Sequence, residues 1–217
     1  MWFKREASGA DFRVESEMNI GAIERTMRFW SSVRTRLFTL LLSSQFRDFG
    51  TGARISPPFR FWGLNEISLG ENVIINPDCW IQTIPSQGEE TSAKLLIGSN
   101  AGIGMGASIS AAREIVIGEY VLLARNVYIS DHTHAFEDVE IPIMRQGING
   151  IAPVSIGART WLGQNVVVLP GVSIGQHCVI GANSVVNSSV PDFSVAAGVP
   201  ARVVKRYDQK QREWIRV

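Results

Sequence analysis

The 217-residue chain is poor in cysteine and histidine and has no surplus of charge of either sign. Its two cysteines, Cys79 and Cys178, fall at separate small-residue positions of the repeat described below, so a structural disulfide is not expected. Twenty-one Lys and Arg against 20 Asp and Glu leave a net charge of +1, and no overall field argues for nucleic acid as a partner. No apolar run is long enough to span a bilayer, and the first residues lack the basic, apolar, small-residue order of a secretory signal. The cytoplasm is the expected location. What the chain has in quantity is apolar residues, 45% of the total, enough for one sizeable core.

Those residues are periodic. An aliphatic side chain returns at every sixth place at Ile156, Leu162, Val168, Ile174, Ile180 and Val186. Two residues before each stands a small or β-branched residue, namely Val154, Thr160, Val166, Val172, Cys178 and Ser184; glycine follows most of them, at Gly157, Gly163, Gly175 and Gly181. Because strands alternate faces, the small residue and its aliphatic partner point inward together while the residue between them points outward. Each unit therefore gives one short strand and one corner, the glycine serving a positive φ or a close approach. Three units complete a triangular turn that is stable only when stacked on its neighbours. The same phase runs through Leu69, Ile75 and Ile81, through Ile97, Ile103 and Ile109, and from Ile117 to Ile129. Two polar interruptions, Pro85 to Lys94 and Asp131 to Pro153, are expected to leave the solenoid as loops.

The expected organisation is an N-terminal arm over 1–60, an all-β parallel solenoid over 61–200 with its excursion at 131–153, and a basic tail over 201–217. In the arm, Ile23, Met27, Phe29, Trp30, Val33, Leu37, Leu40 and Leu41 lie at helical spacing among Arg25, Arg28, Arg34 and Arg36. That amphipathic helix has three readings: it caps the first turn, packs on another subunit, or makes a peripheral contact with the inner face of a membrane.

The segment Pro153 to Gln164 (PVSIGARTWLGQ), with VLPGVSIG from Val168, IGANSVV from Ile180 and AGVPARVVK from Ala197, resembles the hexapeptide-repeat acetyltransferases. Within them it is most similar to the maltose and galactoside O-acetyltransferase branch and its relatives that modify bacterial surface polysaccharides. The likeness runs from about Glu66 to Lys205 and leaves the helix outside. It implies a left-handed coil, a homotrimer with active sites between adjacent subunits, acetyl-coenzyme A as co-substrate, and a sugar or polysaccharide precursor as acceptor. It departs from the maltose branch at Gly104, where that branch places asparagine.

Acetyl transfer to a hydroxyl needs a base, and an ordinary histidine, with a pKa of about 6.5, suits that role. His177 reads as a solvated corner residue, whereas His132 and His134 stand where a strand gives way to the excursion. In the resembling family a histidine after a threonine acts as the base, which Thr133-His134 matches. His134 is therefore the expected base, with His132 as competitor or orienting neighbour. Asp131, Glu137 and Asp138 are candidates for the carboxylate that holds the imidazole. For the cofactor, the family pattern maps onto Gln164, Ala182, Asn187, Ser188, Arg202 and Lys205, the two cations meeting phosphates. Trp161, outward between Thr160 and Leu162, needs a cover, supplied by the pantetheine arm, the loop or a neighbouring subunit. Outward Val167, Val179 and Val185 also suggest a subunit interface. The competing readings are a non-sugar acceptor such as an antibiotic or amino acid, a metal hydratase of the γ-carbonic-anhydrase type, and a non-catalytic scaffold. No metal is expected.

Overall fold

The computed structural model describes residues 21–84 and 94–217. The chain divides into two units, Met1–Val33 and Arg34–Val217. Most of the first interruption, 85–93, lies outside the described residues.

The helix runs over Ala22–Ser43. In the first unit it carries the exposed side chains of Ile23, Met27, Phe29 and Trp30 and one Glu24–Arg28 ion pair. In the second unit its last turns cap the solenoid. Buried Thr39 donates through Oγ1 to the Ile55 carbonyl at 3.3 Å and accepts from the Ile55 N–H at 2.9 Å. Phe38 and Leu42 pack on the core beside it.

The inward positions expected from the repeat are all buried, from Val154 through Val186. Six turns of three strands stack as three parallel sheets. The first face holds Asp48–Phe49, Ile67–Leu69, Leu95–Ile97, Ile115–Ile117, Val154–Ile156 and Ser173–Ile174. The second holds Arg54–Ile55, Ile74–Ile75, Gly102–Ile103, Leu122–Leu123, Trp161–Leu162 and Val179–Ile180. The third holds Phe59–Trp62, Cys79–Thr83, Ser108–Ala111, Tyr128–Ser130, Val167–Val168 and Val185–Val186.

Both ends differ from the sequence-based division. The coil starts at Asp48, ahead of the boundary at 60, because Ala53 and Ile55 already form an inward pair and Arg54–Ile55 pairs in parallel with Ile74–Ile75. At the far end, residues 201–217 are a hairpin rather than a loose tail. Ala201–Asp208 adds antiparallel to Ser194–Gly198, and Glu213–Arg216 adds to it in turn.

Glycine and asparagine share the corners. A Cβ on Gly163 would lie 2.6 Å from the Ala182 nitrogen, so the glycine after each aliphatic residue serves close approach between turns. The left-handed backbone falls two residues later, on Arg159, Asn165, His177 and Asn183. Asparagine tolerates that conformation better than most residues. Here it also forms a ladder, with Asn126 Nδ2 donating to Asn165 Oδ1 at 3.2 Å and Asn165 Nδ2 to Asn183 Oδ1 at 2.9 Å. Replacing Asn165 by alanine, at φ 58°, should therefore destabilise the solenoid by about 1–2 kcal/mol. Asn165→Gly should cost less, and urea midpoints of the two variants check the order.

Candidate active site

The third face carries the site. Its strand Tyr128–Ser130 ends at a corner, and the excursion leaves from there as an antiparallel pair, Thr133–His134 against Ile148–Asn149. Asp131 holds the neck: its carbonyl accepts from the Ala152 N–H at 2.8 Å, closing the far side of the loop.

The Asp131 side chain is fully buried. A buried carboxylate needs partners, and this one has four. Oδ1 accepts from the Ala112 N–H at 2.8 Å; Oδ2 accepts from the N–H groups of Arg113 and Glu114 at 2.7 and 2.8 Å. The fourth partner is His132 Nδ1, 2.8 Å from Oδ1. Burial pushes the Asp131 carboxyl upward, but His132 and the three backbone donors together outweigh it and hold the group below its ordinary value.

With the carboxylate on Nδ1, the imidazole proton is assigned to that nitrogen, which leaves the Nε2 lone pair free. Nε2 lies 3.5 Å from Ser110 Oγ, which itself accepts from Gln82 Nε2 at 2.9 Å. This line runs along the wall of a cavity of about 360 Å³, between Trp80 at one end and Leu169 and Pro170 at the other.

The expected residues separate as follows. His132 and His134 both border the cavity, but the orienting carboxylate belongs to His132. His134 is exposed and has no side-chain partner among the described residues. Glu137 and Asp138 reach neither histidine. Glu137 accepts from Asn149 Nδ2 and the Phe136 N–H, and Asp138 accepts from the Glu140 N–H. His177 sits exposed on the corner between the first and second faces, with its ring 5.9 Å from that of Phe193. Within the one chain, therefore, the three histidines are not brought together. Burial raises both thiols, Cys79 to about 11, so neither is a ready nucleophile.

Trp161 lies on the second face, 48% exposed. It is in register with Val179, Val195 and Lys205 on successive strands, and Arg202 stands beside Lys205 on the last of these. Gln164 and Ala182 stack at the next corner. Asn187 and Ser188 instead follow the third face, one turn beyond Leu169 and Pro170. Gly104 belongs to a corner after the second face, where a Cβ would meet the Ala124 carbonyl oxygen at 2.2 Å. Within the single chain Gly104 is not among the residues that line the cavity. Sequence reasoning missed Trp80, Gln82 and Ser110; their signal was the outward position of each within its strand.

Comparison with known proteins agrees with this architecture. Residues 153–188 match the model for bacterial transferase hexapeptide (six repeats). Over 147 residues the chain is 33% identical to the galactoside O-acetyltransferase of Escherichia coli (strain K12), covering 68% of this chain and 67% of that protein. The chain belongs to the hexapeptide-repeat transferase family. As a family member it is a left-handed parallel β-helix, similar to the crystal structure of a maltose O-acetyltransferase from Clostridium difficile 630. The two share 26% identity with a TM-score of 0.55, over 87% of this chain and 90% of that one. The chain is also 41% identical to a putative lipopolysaccharide biosynthesis O-acetyl transferase of Escherichia coli (strain K12) over 49% of its own length. It spans only part of the first relatives, 57% of that protein and 39% of a probable acetyltransferase of Mycobacterium tuberculosis.

Asp131 supplies a test of the site's electrostatics. Its lowered pKa contributes stability that is present in full above the ordinary carboxylate value of about 3.9 and is lost as pH falls through the folded value. Asp131→Asn should lower stability at neutral pH by about 1.5–3 kcal/mol and flatten the acid limb of the stability profile. Urea unfolding followed from pH 7 into the acid range measures both effects.

Proposed function

We propose that the chain is an acetyl-coenzyme A-dependent O-acetyltransferase acting on a sugar hydroxyl in the building of surface polysaccharide or lipopolysaccharide. Family membership and the named activities of the galactoside and lipopolysaccharide relatives support the reaction class. The observation that carries the assignment of residues is the line Asp131, His132, Ser110 along the cavity. In this reading His132 is the general base, and His134, the first choice from sequence, is a bordering residue.

The acceptor hydroxyl gives its proton to Nε2 of His132 as its oxygen attacks the thioester carbonyl. A C–O bond forms, the C–S bond breaks, and the imidazolium returns the proton to the leaving thiolate. Asp131 fixes the tautomer and stabilises the imidazolium without taking the proton itself. Transfer is direct, with no acetylated enzyme.

Acetyl-coenzyme A is assigned to the second face, with the pantetheine arm along Trp161 and phosphates near Arg202 and Lys205. Those residues and the histidine cavity occupy different faces of one chain, so the reading requires a second copy. The outward row of the second face is apolar at Ile74, Leu122 and Trp161, and that of the third face at Val167 and Val185. The second face of one copy packed on the third face of the next is a heterologous contact that closes as a trimer. The co-substrate supports a cytoplasmic location. Among the described residues no helix is long and apolar enough to cross a membrane.

His132→Ala should lower turnover about 10²- to 10⁴-fold while leaving coenzyme A binding intact, and His134→Ala should keep most of the activity. Coenzyme A release with a panel of sugar acceptors measures this. The reverse pattern would return the base to His134, and activity in both variants would remove the histidine mechanism.

A further inference from the structure

The outer wall of the third face carries two rows at the cavity: one continues at its far end into Val167 and Val185, the part assigned above to the subunit contact, and the other contains Ser110, which the reaction as described uses only as the neighbour of His132. The first is Trp80, Ser108 and Tyr128, in register across three successive strands. The second is Gln82, Ser110 and Ser130, which leads to His132. One row is aromatic at both ends with a serine between; the other offers only amide and hydroxyl groups. In the single chain Trp80 is 50% exposed and borders the same cavity as Ser110 and His132. A half-exposed tryptophan on a strand, bordering a cavity that Ser108, Ser110 and Ser130 also line, is matched to a ligand with one apolar face and a hydroxyl rim. A pyranose has that shape, since its ring C–H bonds gather on a face and its hydroxyls on the edge.

Resting on the acetyltransferase reading, we propose that Trp80 is the stacking platform that selects a pyranose ring as acceptor, with Gln82 and Ser110 holding the hydroxyl edge and one hydroxyl presented to His132. Gln82 Nε2 already donates to Ser110 Oγ, so the Ser110 hydroxyl proton is directed away from Gln82, toward Nε2 of His132. An acceptor hydroxyl that enters there replaces Ser110 as the donor to Nε2 and keeps Ser110 as its own partner. Neighbouring strands are about 4.8 Å apart; Trp80 stands opposite Ser108 and diagonal to Ser110, one strand over and two residues along, a span that one ring bridges.

The test uses the full chain with methyl glucoside, methyl galactoside and methyl mannoside as probes. Trp80→Ala should raise KM for the acceptor about five- to tenfold, the upper range of one aromatic contact, with kcat changed less than about twofold. Trp80→Phe should restore most of the loss. KM for acetyl-coenzyme A and its slow hydrolysis without acceptor should not change, which separates a platform from a fold defect. Saturation-transfer NMR gives a readout independent of turnover: the wild type and His132→Ala should both transfer signal to ring protons of a pyranoside, and Trp80→Ala should not. An unchanged acceptor KM and signal in Trp80→Ala would overturn the platform while leaving the histidine reading intact. No pyranoside signal in the wild type would overturn it as well. Full turnover in His132→Ala, with binding lost in Trp80→Ala, would instead remove the base and keep the platform.

Discussion

Every strand of the solenoid is two to five residues long up to Val186, too short to be stable except against the turn above and the turn below. That dependence dictates the sequence. Inward positions must be filled without voids by Ile, Val and Leu, with small residues before them, and corners must let backbones approach. Polar exceptions inside are satisfied locally. Thr160 Oγ1 donates to the Gly175 carbonyl at 2.9 Å and accepts from the Cys178 N–H at 3.0 Å, tying one turn to the next. Buried Lys94 likewise donates to the Ile84 carbonyl at 2.6 Å and pairs with Glu66 at 3.2 Å, anchoring the start of the third turn. The helix end at Thr39 does for the first turn what a neighbour does elsewhere.

Function enters where the stacking is interrupted. The excursion removes the ordinary continuation after Ser130, and Asp131 replaces the lost contacts with a charge bonded to three consecutive backbone N–H groups of the turn beneath. Those groups need an acceptor because no strand covers them, and the carboxylate needs donors because it is buried. The fourth partner, His132, is held as a by-product of this mutual need. A structural repair at the neck of a loop thus presents an oriented imidazole to a cavity.

The repeat made the inward residues readable because period two within strands and period six between them leave a single phase for Val154 to Val186. The first turn was harder to see, since Phe59 stands at a position that usually takes a small residue and Ala53–Ile55 is an isolated match. The C-terminal hairpin was hidden because its strands follow no six-residue period. Choosing between His132 and His134 was beyond the sequence, as one precedes and the other begins a hairpin whose direction no spacing reveals. The deciding contact, Asp131 with residues 112–114, joins segments about eighteen residues apart through a turn of the coil. The cavity wall was written in the outward residues Trp80, Gln82 and Ser110, but outward positions obey no periodic rule that would single them out.

The account turns on the imidazole of His132 being held by Asp131 with its Nε2 lone pair open to the cavity. With only three histidines in the chain, ¹⁵N NMR of protein labelled at histidine resolves each ring, and single substitutions assign them. At neutral to mildly alkaline pH the account predicts that neutral His132 is protonated at Nδ1 and bare at Nε2, and that Asp131→Asn disturbs this preference. A His132 ring protonated at Nε2, or one that mixes both tautomers as a free side chain does, would contradict it.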